Sequence, residues 1–487
     1  MNNSSSLSQS EHNNAFKWMA LLCLIFFFLK IFNLYTPLFH DELGFYGRAF
    51  FYMLDHGPSI MPGDIDPYLS RGHPLFFTFF VSFISNLFGQ SYVPARLVII
   101  LLSIALLITT YFLGKEISNQ KVGLLAAFCL SFQPIFFAQS TMILPEVMMA
   151  LLTTLSVLFY IRKQYGWYFL FASLLILTKE TGIILFAGVA LNEWYQNRFK
   201  ITLKLIGNVI KWSIPFGWFI VFLLVQKYQN GWYLFPYHVG LISFSIPNIL
   251  IRFLVNIVIV LFDQGRIILT IAFIIAYLKM SKEERKAFFN QHFIFIAVGI
   301  MMLLFSSLNY VMPRYLTLLL PLLLASYLSL LVKQSYSIKH LALFFILTLP
   351  FQFSFWIFRQ DNDMGYMITV QNMQNSIREL DRVTEGKKAK IYARFPELNA
   401  IEYPRDGYTT NPNYEYVDVY DETVDYVLKS DHSHLFVDAF INDIEYVLDN
   451  NLDSIINNPE AYKNSGFELI YESKLFYNHQ RLYKTNN

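Results

Sequence analysis

The sequence predicts a mainly α fold: a polytopic membrane helix bundle of about eleven spans, with outer interfacial helices and a small C-terminal α/β extracytoplasmic domain. Three observations carry this. The 487 residues are 55% hydrophobic and only 15% charged, where soluble domains sit near roughly a quarter charged. Apolar runs recur from residue 16 to 358, joined by short basic connections. From Asp361 onward the chain turns acidic and Asn-rich, with short alternating runs of β type.

Residues 1–15 form a polar tail with no basic leader region, and no small-x-small cleavage site follows the first apolar run. That run reads as a retained anchor. A span needs about 20 apolar residues, fewer where flanking side chains snorkel or helices pack deep in a bundle. The expected spans are 16–35, 95–114, 121–138, 146–162, 165–178, 180–196, 210–227, 265–280, 291–307, 314–332 and 340–358. The runs near 75–90 and 248–262 are ambiguous by length, and charge decides them.

Basic loops mark the cytoplasmic side. Lys115–Lys121, Arg162-Lys163, Arg198–Lys211, Lys279–Lys286 and Lys333–Lys339 are all basic, and Lys17 precedes the first span. If 75–90 and 248–262 lie on the outer surface, every basic loop falls inside. The N-terminus is then inside and the C-terminus outside. The external parts are 36–94, the aromatic-rich loop 228–264, the turn 308–314 and the tail. The tail, 359–487, has expected strands at Lys390–Arg394, Glu415–Tyr420, Leu435–Phe440 and Phe467–Tyr471, and a last strand Leu475–Tyr483 after a Glu472-Ser473 turn. Phe (49) and Tyr (31) fit apolar spans with aromatic interface belts.

Some classes are excluded or disfavoured. A net charge of +2 is too small for a nucleic-acid partner. Cys23 and Cys129 lie inside apolar runs and form no disulfide framework or metal cluster. The two halves do not mirror each other as those of many transporters do.

The chemistry-bearing residues fall at the outer ends of spans. His40-Asp41-Glu42 opens an amphipathic helix expected over Leu43–Leu54. Acidic residues there also favour the helix dipole and cap the first turn, which is their ordinary structural use. Arg71-Gly72-His73-Pro74-Leu75 opens the interfacial helix, with His73 a polar cap or a cation of the site. Arg96 begins the next span, where a snorkelling anchor is the ordinary reading. Glu146 follows Pro145, and Lys179-Glu180 sits in a turn with hardly any loop. Lys179 either pairs with Glu180 or faces an anionic headgroup. Arg314 is a lone guanidinium at the start of a span, and planar guanidinium suits phosphate oxygens. Glu146 is a partner for one of these cations or a second acidic site. Arg71 and His238 are weaker candidates.

In this order the motifs resemble the glycosyltransferase C-fold (GT-C) superfamily, and within it the family 39 branch of protein O-mannosyltransferases and lipid A aminoarabinose transferases. The resemblance rests on Asp41-Glu42, His73-Pro74-Leu75, Arg96, Leu177-Thr178-Lys179, and Arg314-Tyr315-Leu316 with Pro321, and covers most of residues 16–332. The second proline of the Pro-Pro-Leu motif is absent, and Glu146 stands where Asp is common.

The resemblance implies that 16–358 is a transmembrane glycosyltransferase-type domain in a bacterial plasma (inner) membrane. Its donor is a polyprenyl-phosphate-linked sugar, and its acceptor is a hydroxyl on an envelope glycan, a glycolipid or a protein. Transfer proceeds with inversion on the outer face. Asp41 is then the expected base, with Glu42 positioning the acceptor or tuning Asp41. Lys179 and Arg314 hold the donor phosphate, with His73 and Arg96 as further phosphate ligands. No cofactor is expected, and no ligand spacing demands a metal. A transporter or flippase of polysaccharide precursors is the competing class, and it predicts ionisable residues in mid-span. A non-catalytic member of the same fold is a third reading.

Overall fold

The computed structural model describes residues 3–240, 242, 244–308, 311–334, 363–418, 423–432, 466–475 and 478–485. The chain divides into two compact units. One comprises Met1–Leu34 and Ala49–Phe353, the other Tyr35–Arg48 and Ser354–Asn487.

The first unit is helical. Helices stand at each expected span within the described residues: Asn3–Ile31, Tyr92–Ile117, Gln120–Ser131, Glu146–Ile161, Tyr165–Thr178, Ile183–Gln196, Leu203–Asn230, Arg266–Leu278, Lys282–Ser307 and Pro313–Lys333. The span expected at 340–358 lies outside them. Large apolar side chains such as Phe16, Phe28, Leu101 and Ile210 are exposed along these helices, as a chain solvated by lipid requires. It is a multi-pass membrane protein. By length and composition alone, five of the described helices can cross a bilayer, or six if the bent pair Ile246–Leu261 and Arg266–Leu278 is one span. The other apolar helices are too short to bridge about 30 Å alone at about 1.5 Å per residue. The figure of about eleven depends on them.

Two local features differ from expectation. The run 121–138 is not one helix: it breaks after Ser131, and a short helix Pro134–Gln139 follows. Pro134 lacks an N–H and clashes with the preceding turn, so it starts a new helix instead of continuing the old one. Pro74 does not occupy the first turn of the helix expected to lie at the interface, which begins at Phe76. The runs 248–262 and 265–280 form separate helices, with an 88° bend between them. Gly265, at φ 79°, makes the reversal. Arg266 then donates to the carbonyls of Ile259 and Val260 and, at 2.9 Å, to Gln133 Oε1. Helices Tyr92–Ile117 and Gln120–Ser131 touch at Gly114 and Gly123, where a Cβ on Gly114 would lie 2.8 Å from the Gly123 Cα. Small residues let two backbones approach this closely in a membrane.

The second unit is α/β. Its sheet has the order β2-β1-β3-β5-β4, with β1 Ala389–Tyr392, β2 Tyr414–Val417, β3 Tyr426–His432, β4 Phe467–Leu475 and β5 Asn478–Thr485. β1 runs parallel to β2 and β3, and β3, β5 and β4 are antiparallel. Tyr392, Val424, Val427, Phe467 and Tyr483 form its buried core. The strand expected at Leu435–Phe440 lies outside the described residues. Glu472 and Ser473 do not turn the chain. They pair with Arg481 and Gln480, and the hairpin ladder runs on to Leu475↔Asn478. Alternation in this segment is interrupted by a bulge between Leu469 and Tyr471, which shifts the apparent end of the strand.

Candidate active site

Glu146 opens the helix Glu146–Ile161 and is buried. Its Oε1 lies 3.7 Å from Lys179 Nζ and 3.5 Å from Arg314 Nε. Both cations are themselves buried. They come from distant segments, Lys179 from the C-terminal end of helix Tyr165–Thr178 and Arg314 from the 3₁₀ turn Pro313–Leu319. The Tyr315 ring lies against both, 4.3 Å from Lys179 Nζ and 5.3 Å from the Arg314 guanidinium carbon. Two cations from separate segments face this one carboxylate. Glu146 is thus the counter-ion of both Lys179 and Arg314.

Arg96 is fully buried, which removes the snorkelling reading, and its Nη1 donates to the Thr141 carbonyl at 2.8 Å. That bond fixes the segment that delivers Pro145 and Glu146.

His73 joins a second cluster. Its Nδ1 lies 2.8 Å from Glu180 Oε2, and its ring centroid is 4.9 Å from that of His238. Glu180 therefore faces His73, while its neighbour Lys179 faces Glu146. Arg71 adopts a left-handed φ of 52°, followed by Gly72 at 66°, and its guanidinium lies 5.5 Å from the Tyr237 ring. Gly72 has no room for a side chain: a Cβ would be 2.7 Å from Phe235 Cβ. Burial holds the His238 imidazole down to about 4, with His73, Lys179 and Arg71 acting in the same direction and Glu180 against. His238 is consequently neutral at pH 7 and supplies no cation.

The acidic pair belongs to the second unit. Asp41 precedes a π-helical turn, Glu42–Tyr46, instead of opening an α-helix at Leu43; the α-helix is Gly47–His56. Turns of this kind are rare and recur at functional sites. The preceding residue, His40, has a left-handed φ of 54°, a strained conformation for a residue with a Cβ. Asp41 makes no side-chain cap to the turn. Its carboxylate lies 3.1 Å from His40 Nδ1 and stays 16% exposed. Glu42 is fully buried, and its Oε2 accepts the Phe39 N–H at 3.0 Å. Two adjacent carboxylates thus have different environments, Asp41 partly exposed beside the His40 imidazole and Glu42 buried and tied into its own loop.

Residues 72–225 match the family model described as Dolichyl-phosphate-mannose-protein mannosyltransferase. Among solved structures, ArnT from Cupriavidus metallidurans in the apo state is similar to this chain with a TM-score of 0.58 at 12% identity, covering 97% of this chain and 99% of that one. The same ArnT bound to undecaprenyl phosphate gives 0.55 at 12% identity, over 96% and 98%. The Archaeoglobus fulgidus oligosaccharyltransferase, in a complex with Zn and sulfate, gives 0.51 at 12% identity, over 84% of this chain and 67% of that one. No curated protein matches the sequence. The fold is that of the GT-C glycosyltransferases.

Within this chain the family match takes in His73, Arg96, Glu146 and Lys179, and leaves Asp41, Glu42 and Arg314 outside its bounds. Sequence reasoning missed three features of the site. Tyr315 was visible only as part of a motif, without a role. Glu180, one of the two alternatives for Lys179 in the sequence, lies against His73. Arg48, whose partners are Glu402 and Asp406, carried no local signal, since those partners lie over 350 residues away in the chain.

Proposed function

We propose that this chain is an inverting glycosyltransferase that moves a sugar from a polyprenyl-phosphate donor to a hydroxyl acceptor on the outer face of the membrane. The observation that carries the reading is the burial of Lys179 and Arg314 together beside the carboxylate of Glu146. Guanidinium and ammonium groups gathered in one place suit phosphate oxygens, and a lipid phosphate entering from the bilayer supplies them. Undecaprenyl phosphate is the ligand named for the similar ArnT.

The acceptor oxygen attacks the anomeric carbon as its proton passes to the Asp41 carboxylate, which is the general base. The bond from that carbon to the phosphate oxygen breaks on the opposite face, and its electron pair leaves on the polyprenyl phosphate. One displacement inverts the configuration. A phosphate is a good leaving group and needs positive charge more than a general acid, unlike the alcohol released in glycoside hydrolysis. Lys179 and Arg314 provide that charge, with His73 a further ligand on the donor side. Arg96 acts through the Thr141 carbonyl. Glu146 offsets the charge of both cations, and Glu42 holds the turn that carries Asp41.

The test is transfer by the purified protein from a panel of polyprenyl-phosphate sugars, with wild type beside Asp41→Asn. Wild type is expected to consume one donor, and Asp41→Asn to lower turnover by at least ~10²-fold with donor binding little changed. Near wild-type turnover by Asp41→Asn removes Asp41 as the base.

A further inference from the structure

The loop that carries Asp41 is fastened within its own unit by one guanidinium. Arg48 Nε donates to the Leu43 carbonyl at 3.1 Å, inside the π turn that begins at Glu42. Its Nη2 donates to the Asn399 carbonyl at 3.1 Å and to Glu402 Oε2 at 3.0 Å, and lies 3.4 Å from Asp406 Oδ2. The Tyr403 ring covers the guanidinium at 4.1 Å. Only 10% of the Arg48 side chain is exposed, and Asp406 is fully buried.

The same two segments meet at further points. The Leu38 N–H donates to the Asp406 carbonyl at 3.1 Å, and the His40 ring stands edge-on to Phe395 at 4.9 Å. Glu402 also accepts from Tyr416 at 3.1 Å, on β2, so the clasp is anchored in the sheet. Contacts therefore flank Asp41 on both sides, at Leu38 and His40 before it and at Leu43 and Arg48 after it. A fork of five donors fits this arrangement, and a lysine ammonium cannot span the same acceptors.

We infer that Arg48 is a positioning residue for Asp41, locking the acidic loop to the Glu397–Asp406 segment of the tail domain. The inference rests on the transferase reading, and it gives the tail a role in catalysis: the tail is the frame that holds the base. A shift of about 1 Å in a catalytic group costs on the order of 10²-fold in rate. A residue acting this way changes kcat and leaves donor binding alone.

Two measurements on the full-length protein test it. Hydrogen exchange is followed at the backbone amides of residues 38–47 in wild type, Arg48→Ala and Arg48→Lys. Transfer kinetics are measured with the polyprenyl-phosphate sugar that wild type consumes, and binding with undecaprenyl phosphate. Arg48→Ala is expected to lose protection in 38–47, to lower kcat roughly 10–100-fold, and to keep donor KM and undecaprenyl phosphate affinity within about twofold. Arg48→Lys should fall between Arg48→Ala and wild type, and it carries the test if Arg48→Ala does not fold. Unchanged exchange in both variants overturns the clasp. Lost protection with unchanged kcat overturns the positioning role while leaving the transferase reading intact. Full turnover by Asp41→Asn is a separate failure, of Asp41 as the base, and consumption of no donor by wild type is the failure of the transferase reading; both leave the effect of Arg48 on exchange in place.

Discussion

Arg314 and Glu146 face each other with Nε and Oε1 3.5 Å apart, each side chain no more than 5% exposed. The distance exceeds that of a hydrogen bond, and neither Glu146 oxygen has a hydrogen-bond partner among the described residues. The pair is thus held by charge more than by directed bonds, and Lys179 shares the same carboxylate. Glu146→Gln keeps the shape and removes the negative charge that both buried cations face. Breaking a buried pair in this way costs about 3–5 kcal/mol. The expected result is a clear fall in the thermal unfolding temperature of the purified protein, partly reversed by undecaprenyl phosphate. An unchanged unfolding temperature would show that the pair carries little of the stability.

For Arg314 itself the expectation concerns the donor. A charge-assisted hydrogen bond contributes about 1.5–3 kcal/mol, so Arg314→Ala should weaken undecaprenyl phosphate binding by roughly 10–100-fold. Arg314→Lys keeps the charge but loses the planar fork, and should recover only part of the affinity. Equilibrium binding to the three proteins decides this. Equal affinities place Arg314 outside the phosphate site.

How much of this was legible in the sequence follows from the physics of each part. The helices could be read because lipid demands long apolar runs, and charges are rare enough that their positions at helix ends stand out. Breaks inside a run were harder: Pro134 divides one apparent span, and only the local backbone shows it. The strand β3 was missed because Lys429 and Asp431 interrupt its apolar pattern, and its register with β5 comes from a segment some fifty residues later. Within the site, residue types were readable and partners were not. Lys179 and Glu180 look like a pair in sequence, yet Lys179 is extended, at φ −161° and ψ 143°. Successive side chains on extended backbone point to opposite sides. Each therefore meets a different neighbour.

The clasp around Arg48 has a pH signature. Burial raises the Asp406 carboxyl to about 7 from 3.8; Arg48 opposes the rise, and Glu402 and Glu42 add to it. The folded protein then keeps a proton that the unfolded chain releases between about pH 4 and 7. Stability from this group is complete below the lower value and is lost as pH rises through the upper one, with a slope of at most about 1.36 kcal/mol per pH unit. Asp406→Asn should remove that slope. Thermal unfolding of both proteins from pH 4.5 to 8 checks it, and parallel curves would mean that Asp406 does not titrate in this window.

His238 predicts the opposite slope in the other unit. Burial lowers its imidazole from 6.5 to about 4, so the unfolded chain takes up a proton that the folded one refuses. The stability it confers is present above about pH 6.5 and is lost as pH falls toward 4. His238→Gln keeps a polar side chain and cannot be protonated, so it should lose less stability than wild type between pH 6.5 and 4.5. Because Asp406 and His238 act with opposite sign over overlapping windows, the wild-type profile alone is flattened and hides both. The double variant Asp406→Asn/His238→Gln separates them: two independent titrations predict that its profile equals the sum of the two single changes. A sum that fails would mean that the two groups do not titrate independently.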